Sequence, residues 1–526
     1  MRIGIDFGTT RVVVAAADRG NFPLVHFETP DGQTCDWFPP IAAVRGNTRL
    51  YGWQAVPALE DDSFTVLRSL KRSLRLAGPN TELRAGGRSL PLRLLLTEMM
   101  TALRMQLLEH SNLGAKPGEP LEIMLGVPAN ANSNQRFLTE EAAQAAGFTV
   151  LGLMNEPSAA AIEFACRNSA EHDIHEGRGL LVYDLGGGTF DVSLVTLGNN
   201  EHIVEASDGI PDLGGDDFDQ ILCDLALGIG GLDVDLTGPQ WFRLREECRE
   251  KKESLNPNTR KLIIDLERVH PSWPEVTVPV DVFYDLCRPL IEATRDVVEG
   301  VLAANTRIGL DTLYVTGGGS ELPPVARILR ETFGRKVRRS AYMRSASAIG
   351  LAIRASTQTE HLRDRFNQNF GIWREAESGE AIVFDLIFPR GARLPAPGEP
   401  ALSNERDYQP VHNVGHFRYI ECSRLDASGQ PTGDITNWQQ IRFPFDPRLQ
   451  RDSDRGPDLS PDLSAQPVQR LVNPGPLRAR ERYTCDASGT VRVMISAEPG
   501  GYTRDFLIGQ APHEEAARNI AASASV

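Results

Sequence analysis

In LLVYDLGGGTFDVSLVTL, residues 180–197, Asp184 and Asp191 bracket the run Gly186, Gly187, Gly188 and Thr189. Glycines leave successive backbone N–H groups unobstructed, and such a nest binds anions, phosphate above all. The threonine hydroxyl adds a donor. Carboxylates beside a phosphate would repel it, so this combination calls for a cation between them, and Mg²⁺ is the one suited to carboxylates, water and phosphate. The same design stands at the start of the chain. In IGIDFGTTRVVVAAAD, residues 3–18, Asp6 corresponds to Asp184, and Gly8, Thr9 and Thr10 form the turn. A third glycine turn, Gly317, Gly318 and Gly319, lies in LYVTGGGSELPPVARILRETFG, residues 313–334. The expected chemistry is the gripping of a metal nucleotide from two sides, with Asp6, Asp184 and Asp191 holding Mg²⁺ directly or through its waters.

The elements that position these residues follow from their flanks. Apolar, β-branched stretches on both sides of each glycine turn predict two β-hairpins, hence two similar lobes. The third turn joins a short strand to an amphipathic helix. Between the hairpins, Asn132 or Ser133 can cap a helix that Gly147 ends, and Asn155 with Pro157 starts another whose first turn carries Glu156. On local evidence Glu156 either complements the helix dipole or projects into the site. Lys71, in RSLKRSL, reads on its own as a solvated helix lysine. Asp6 on a hairpin tip and Lys71 on a helix face are expected to be replaceable without harm to folding.

Bulk properties narrow the classes. The 526 residues suffice for two to four domains, and 55 basic against 70 acidic residues give a net charge of −15, which disfavours a nucleic-acid partner. The seven cysteines include no CxxC pair, so neither a zinc site nor a disulfide framework is indicated. No stretch approaches the roughly 18 unbroken apolar residues of a membrane span, and MRIGIDFGTT has no apolar leader. The expectation is a cytoplasmic protein without membrane partners.

Five stretches in order, IGIDFGTT, GVPANANSNQR, NEPSAAA, VYDLGGGTFDVS with DLGGDDFD, and VTGGGSELP, resemble the motifs of the seventy-kilodalton heat-shock chaperones of the DnaK type. These belong to the actin-like and hexokinase-like ATPase superfamily. The resemblance covers residues 1 to about 355. It implies an α/β fold: a two-lobed actin-like ATPase domain over 1–355, with smaller subdomains near 36–105 and 216–290, then an all-β sandwich-like domain. It also implies ATP or ADP with Mg²⁺ as cofactors, Lys71 near the γ-phosphate, and Glu156, Asp184 and Asp191 ordering metal-bound and attacking water. Asp6 and Asp184 would hold the metal through its waters. Gly214, Gly215 and Lys252 would join the nucleotide contacts, and Pro128 and Arg136 match switch and relay positions. At the base side the pattern departs: Glu321 replaces a basic residue, Arg249 stands where glutamate is usual, and Glu253 where a basic residue is common. A charge-reversed contact between Arg249 and Glu321 is one reading.

After residue 355 the resemblance weakens. Residues 356–369 form a polar linker without the family's acidic, leucine-rich pattern, which bears on J-domain stimulation. From 370 to 510, five apolar stretches broken by Gly, Pro and Asp predict strands. IFPRGARLP, NVGHFRYIEC and CDASGTVRVMIS resemble landmarks of the family's peptide-binding β-sandwich, with fewer residues between the first two than its full strand set requires. Residues 446–482 read as a flexible loop, and 511–526 as a short tail in place of a helical lid. The implied partners are a client polypeptide and the family's co-chaperones, a J-domain protein and a nucleotide exchange factor, acting on a monomer. Two other function classes stay open: a nucleotide-gated scaffold with little hydrolysis, and a small-metabolite kinase on the same core. A filament-forming actin relative fits less well, the motifs being those of the chaperone branch.

Overall fold

The computed structural model describes residues 1–75, 77–78, 80–116, 118–168, 179–198, 201–356, 361–366, 368–376, 381–396, 398–453, 463, 466–471 and 475–508. They fall into two compact units. The first comprises 1–73, 82–130 and 139–364, and the second 74–81, 131–138 and 365–526. Among the described residues no helix is long and apolar enough to cross a membrane, and all seven cysteines are free thiols.

In the first unit the N-terminal hairpin is β1 (Arg2–Phe7) and β2 (Val12–Ala16). Parallel to β1 runs β3 (Glu122–Val127), followed by β4 (Thr149–Asn155), giving the order β4-β3-β1-β2. The second hairpin is β5 (Gly179–Leu185) and β6 (Phe190–Thr196). With β7 (Glu201–Ile210), β8 (Leu310–Thr316), β9 (Val337–Arg339) and β10 (His361–Arg363) it forms a sheet of order β9-β8-β5-β6-β7-β10. Here too the first hairpin strand has a parallel partner, β8. The repeated sequence design thus recurs as a repeated pairing. Residues 361–363, read from the sequence as linker, pair in parallel with β7.

The helices of this unit are α1 (Leu70–Ser73), α2 (Leu92–Glu109), α3 (Ser133–Ala145, of which only 139–145 belong to it), α4 (Glu156–Asn168), α5 (Gly215–Ile229), α6 (Gly238–Glu253), α7 (Val280–Ala304), α8 (Pro323–Phe333) and α9 (Ala346–Ser356). Asn132 caps α3, its Oδ1 accepting from the Gln135 N–H at 2.9 Å, and Gly147 past its end takes φ +88°. The small side chains of α4 and α9 share one core with Val13, Ala15, Leu180, Val182 and Val195 of the two hairpins. The packing depends on absent side chains: a Cβ on Gly350 would fall 1.8 Å from the Ala159 carbonyl oxygen. A second core joins α5, α6, α7 and α8 to the other face of the β5–β6 hairpin.

The second unit has two four-stranded sheets. One holds β11 (Asn369–Ala376), β12 (Ala381–Phe388), β14 (Val414–Leu425) and β15 (Pro431–Pro444) in the order β12-β11-β14-β15. The other holds β13 (Leu402–Tyr408), β16 (Arg478–Cys485), β17 (Val491–Glu498) and β18 (Tyr502–Leu507) in sequence order. Both contribute to one core, with Phe370, Tyr419 and Phe443 from the first and Tyr483, Val493 and Ile495 from the second. Also within this unit, the Ser133 N–H donates to Glu421 at 3.0 Å, and Arg136 donates to the Ser488 carbonyl at 2.9 Å. Of the stretch 446–482, Pro447–Ser453 forms a short helix, α10, while 454–462, 464–465 and 472–474 lie outside the described residues. The tail 511–526 lies outside them as well.

Candidate functional site

The two hairpin turns meet. A Cβ built on Gly187 would fall 2.8 Å from Thr10 Oγ1, and one on Gly188 2.8 Å from Thr9 Oγ1. Only glycine permits this approach. The second turn closes through the Gly186 N–H on the Thr189 carbonyl at 2.9 Å, and the start of α5 is tied to it by the Gly215 N–H on the Gly186 carbonyl at 2.9 Å. Gly214 has no room for a side chain, since its Cβ would lie 2.6 Å from Gly187 backbone atoms. Gly317 has φ +88°, and a Cβ there would fall 2.4 Å from Asp184 Oδ1. The three glycine turns therefore converge at one place, within the first unit.

Below the turns lies a cluster of charge. Asp184 and Asp191 face each other as directly opposed residues of β5 and β6, and Asp6 is on β1. Glu156, the first residue of α4, accepts from Lys71 Nζ at 2.5 Å. Lys71 is only 7% exposed, against the expectation of a solvated helix lysine. The reason is local: α1 is a single turn entered from Ser69 at φ +65°, whose Oγ donates to the Thr9 carbonyl at 3.0 Å, and this bend turns Lys71 inward. Asp6 is half-buried in the cleft wall, so neither residue stands on the freely exposed surface from which harmless replacement was expected.

Burial dominates the electrostatics. It raises Asp6 from 3.8 to about 7, with Glu156 adding to the rise and Lys71 opposing it. Asp191 is raised to about 7 by burial and Glu156, against the hydrogen bond from Thr189 and the Lys71 charge. Asp184 is pushed well above its usual range by burial and by Glu156, Asp6 and Asp191. Burial would lower Lys71, yet Glu156 and Asp6 hold it above its ordinary value. Because the carboxyl values are raised, their ionisation costs the fold stability as pH rises from about 4 to about 7, and a cation would remove that cost. Hard carboxylate oxygens next to backbone N–H groups are a donor set that fits Mg²⁺. Among the described residues no group of three or more His, Cys, Asp or Glu side chains is placed to hold a metal ion directly.

A cleft unites most of the expected residues: Asp6, Gly8, Thr9, Thr10, Lys71, Glu156, Asp184, Gly186, Gly187, Thr189, Gly215, Lys252, Gly317, Gly318 and Gly319 line it. Gly188, Gly214, Asp191 and Glu321 do not. Gly188 packs behind the turn against Thr9, and Asp191 accepts from the Ala129 N–H at 3.0 Å. Lys252 does not reach toward the turns with a free charge; its Nζ is 2.7 Å from both the Gly215 carbonyl and Asp219.

The base side corrects one expectation. Arg249 does not pair with Glu321; it pairs with Glu246 at 2.5 Å and Glu253 at 3.5 Å, its neighbours three and four positions away on α6. Local partners on one helix face win over a distant one. Glu321 instead accepts from Arg344 Nε at 2.8 Å, and Arg344 also meets Glu253 at 3.0 Å. Glu253 is held further by Arg11 at 2.5 Å, whose guanidinium lies 5.0 Å from the Trp37 ring centre. Burial would raise Glu253, but Arg11, Arg344 and Arg249 together hold it below its usual range. Arg11 and Arg344 are cleft residues that sequence reasoning missed. Arg72, also missed, is not in the cleft lining; it donates to the Gly188 carbonyl at 3.4 Å and lies 3.6 Å from Asp217. Their signal was at most a cation next to an expected loop or lysine.

An α/β unit with two glycine hairpins meeting over buried carboxylates defines a phosphate-binding protein with two repeated halves. Residues 96–365 match the Hsp70 protein family, which is half of the chain, and the chain belongs to that family. It is 29% identical over 415 residues to the chaperone protein DnaK of Thermotoga petrophila. The match covers 75% of this chain and 66% of that relative, just under two thirds of the relative's length.

Proposed function

We propose that the chain is an ATP-dependent, chaperone-like ATPase. Residues 1–355 act as a two-lobed actin-like ATPase domain that closes on Mg-ATP, and residues 370–510 as a sandwich-like domain that binds a client polypeptide. The observation that carries this reading is the meeting of the two hairpin turns over the buried Lys71 and Glu156 pair. Backbone N–H groups at Gly8 to Thr10 and at Gly187 to Thr189 receive the phosphates, and the threonine hydroxyls add donors. Lys71 offsets charge on the transferring group. Glu156 orients the attacking water and is placed to take its proton, with Asp191 adding negative charge from behind the cleft wall, so positioning and electrostatics supply the rate. Asp6 and Asp184 would hold Mg²⁺ through its waters, and the bound ion would neutralise charge on the phosphate oxygens.

A second reading, a scaffold that holds nucleotide with little turnover, draws on the base side, where Glu253 and Glu321 are tied to Arg344. Single-turnover hydrolysis of radiolabelled ATP by the purified chain with Mg²⁺ separates the two. Phosphate release that falls at least about a hundredfold in Lys71→Met supports the ATPase. Tight binding without release in the wild type would reject it in favour of the scaffold.

A further inference from the structure

Beside the base side of the cleft a second cavity of about 1320 Å³ opens, walled by the end of α6 and the loop after it, the start of α7, and α8. Eight basic and five acidic side chains line it, a net charge of +3 in a chain of net charge −15. Two of the basic groups are committed: Lys252 to Asp219, and Arg344 to Glu253 and Glu321. Arg260, Lys261, Arg327, Arg330 and Arg339 form no ion pair among the described residues, and Arg288 reaches only Glu292, at 3.9 Å.

Arg260, Lys261, Arg327, Arg330 and Arg339 are exposed and gather around one concavity without ion-pair partners among the described residues. Arg327 and Arg330 are three positions apart on one face of α8, where like charges repel. Arg260 and Arg339 come to the same cavity from other elements. The Tyr284 hydroxyl in the cavity wall is closed off from solvent and has no hydrogen-bond partner. Basic residues on β9 alone would be explained by its place at the edge of its sheet, where charge discourages strand addition. That explanation does not reach Arg260, Arg288, Arg327 and Arg330, which stand on no strand.

We propose that this cavity binds a compact polyanion carrying several phosphate groups. Guanidinium forks pair with phosphate oxygens in two-pronged geometry, and several forks around one concavity favour a small ligand with charge on more than one side. The cavity adjoins the base end of the cleft and shares Lys252, Glu253, Gly318, Gly319 and Arg344 with it, while Arg260, Arg288, Arg327, Arg330 and Arg339 line the cavity alone.

The test is a calorimetric titration of inositol hexakisphosphate into the full chain, without nucleotide or Mg²⁺, at about 0.15 M ionic strength. Saturable single-site binding is expected, weakened at least tenfold in Arg327→Ala/Arg330→Ala. Arg335→Ala/Lys336→Ala, which removes two exposed charges outside the cavity, should bind as the wild type does. Arg260→Ala/Arg339→Ala changes different elements and should also weaken binding, which guards against a folding defect in α8. Equal weakening in all three double variants, or heat that never saturates, would overturn the site as diffuse surface attraction. Tighter binding of a hexa-aspartate peptide than of the phosphate probe would overturn the ligand class in favour of an acidic polypeptide.

Discussion

The two ends of the cleft solve the same problem, charge in a confined space, in different ways. At the phosphate end, Lys71, Glu156 and Asp191 are buried and Asp6 and Asp184 half-buried in the cleft wall, and burial together with the Glu156 charge shifts the ionisation of Asp6, Asp184 and Asp191. At the base end, Arg11, Arg249, Glu253, Arg344 and Glu321 are partly exposed and form a chain of ion pairs. Enclosure makes each phosphate-end residue indispensable to its neighbours, whereas partial exposure lets water replace a lost partner.

Breaking the phosphate end should give the largest effect. Lys71→Met leaves Glu156 buried without its counter-charge, so unfolding by urea should show a loss of about 3–5 kcal/mol. Adding Glu156→Gln should recover most of that loss while turnover stays abolished. A Lys71→Met protein as stable as the wild type would contradict the buried pair. The base end should respond far less. Arg344→Ala removes a side chain that is 28% exposed, releasing Glu253 and Glu321 to solvent. The expected cost is about 1 kcal/mol or less, shrinking further at high salt. A cost equal to that at Lys71 would erase the contrast between the two ends.

The same contrast governs what could be read from the sequence. The glycine turns were legible because phosphate binding demands bare N–H groups, and the opposed Asp184 and Asp191 follow from strand register alone. So were the cap at Asn132 and the start of α4 at Glu156, where side-chain chemistry fixes a helix end. The inward turn of Lys71 was not, since it depends on Ser69 taking φ +65°, a conformation serine rarely adopts. The pairing of Glu321 with Arg344 was hidden because it joins residues 23 positions apart. In the second unit, LSNERDY of β13 carries almost no apolar signal; it is a strand because β16 supplies a full ladder from Leu402 to Tyr408. Likewise, β10 is three residues added in parallel to β7, too short for any periodicity.

The central claim is that the meeting hairpins hold a metal nucleotide. Its most direct test is the affinity of the full chain for ADP, measured by calorimetry with Mg²⁺ and with the metal chelated, in the wild type and in Asp184→Asn. We expect Mg²⁺ to tighten ADP binding at least about tenfold in the wild type, about 1.4 kcal/mol, and to have little effect in Asp184→Asn. Binding that is absent, or equally tight with and without Mg²⁺ in the wild type, would contradict the account.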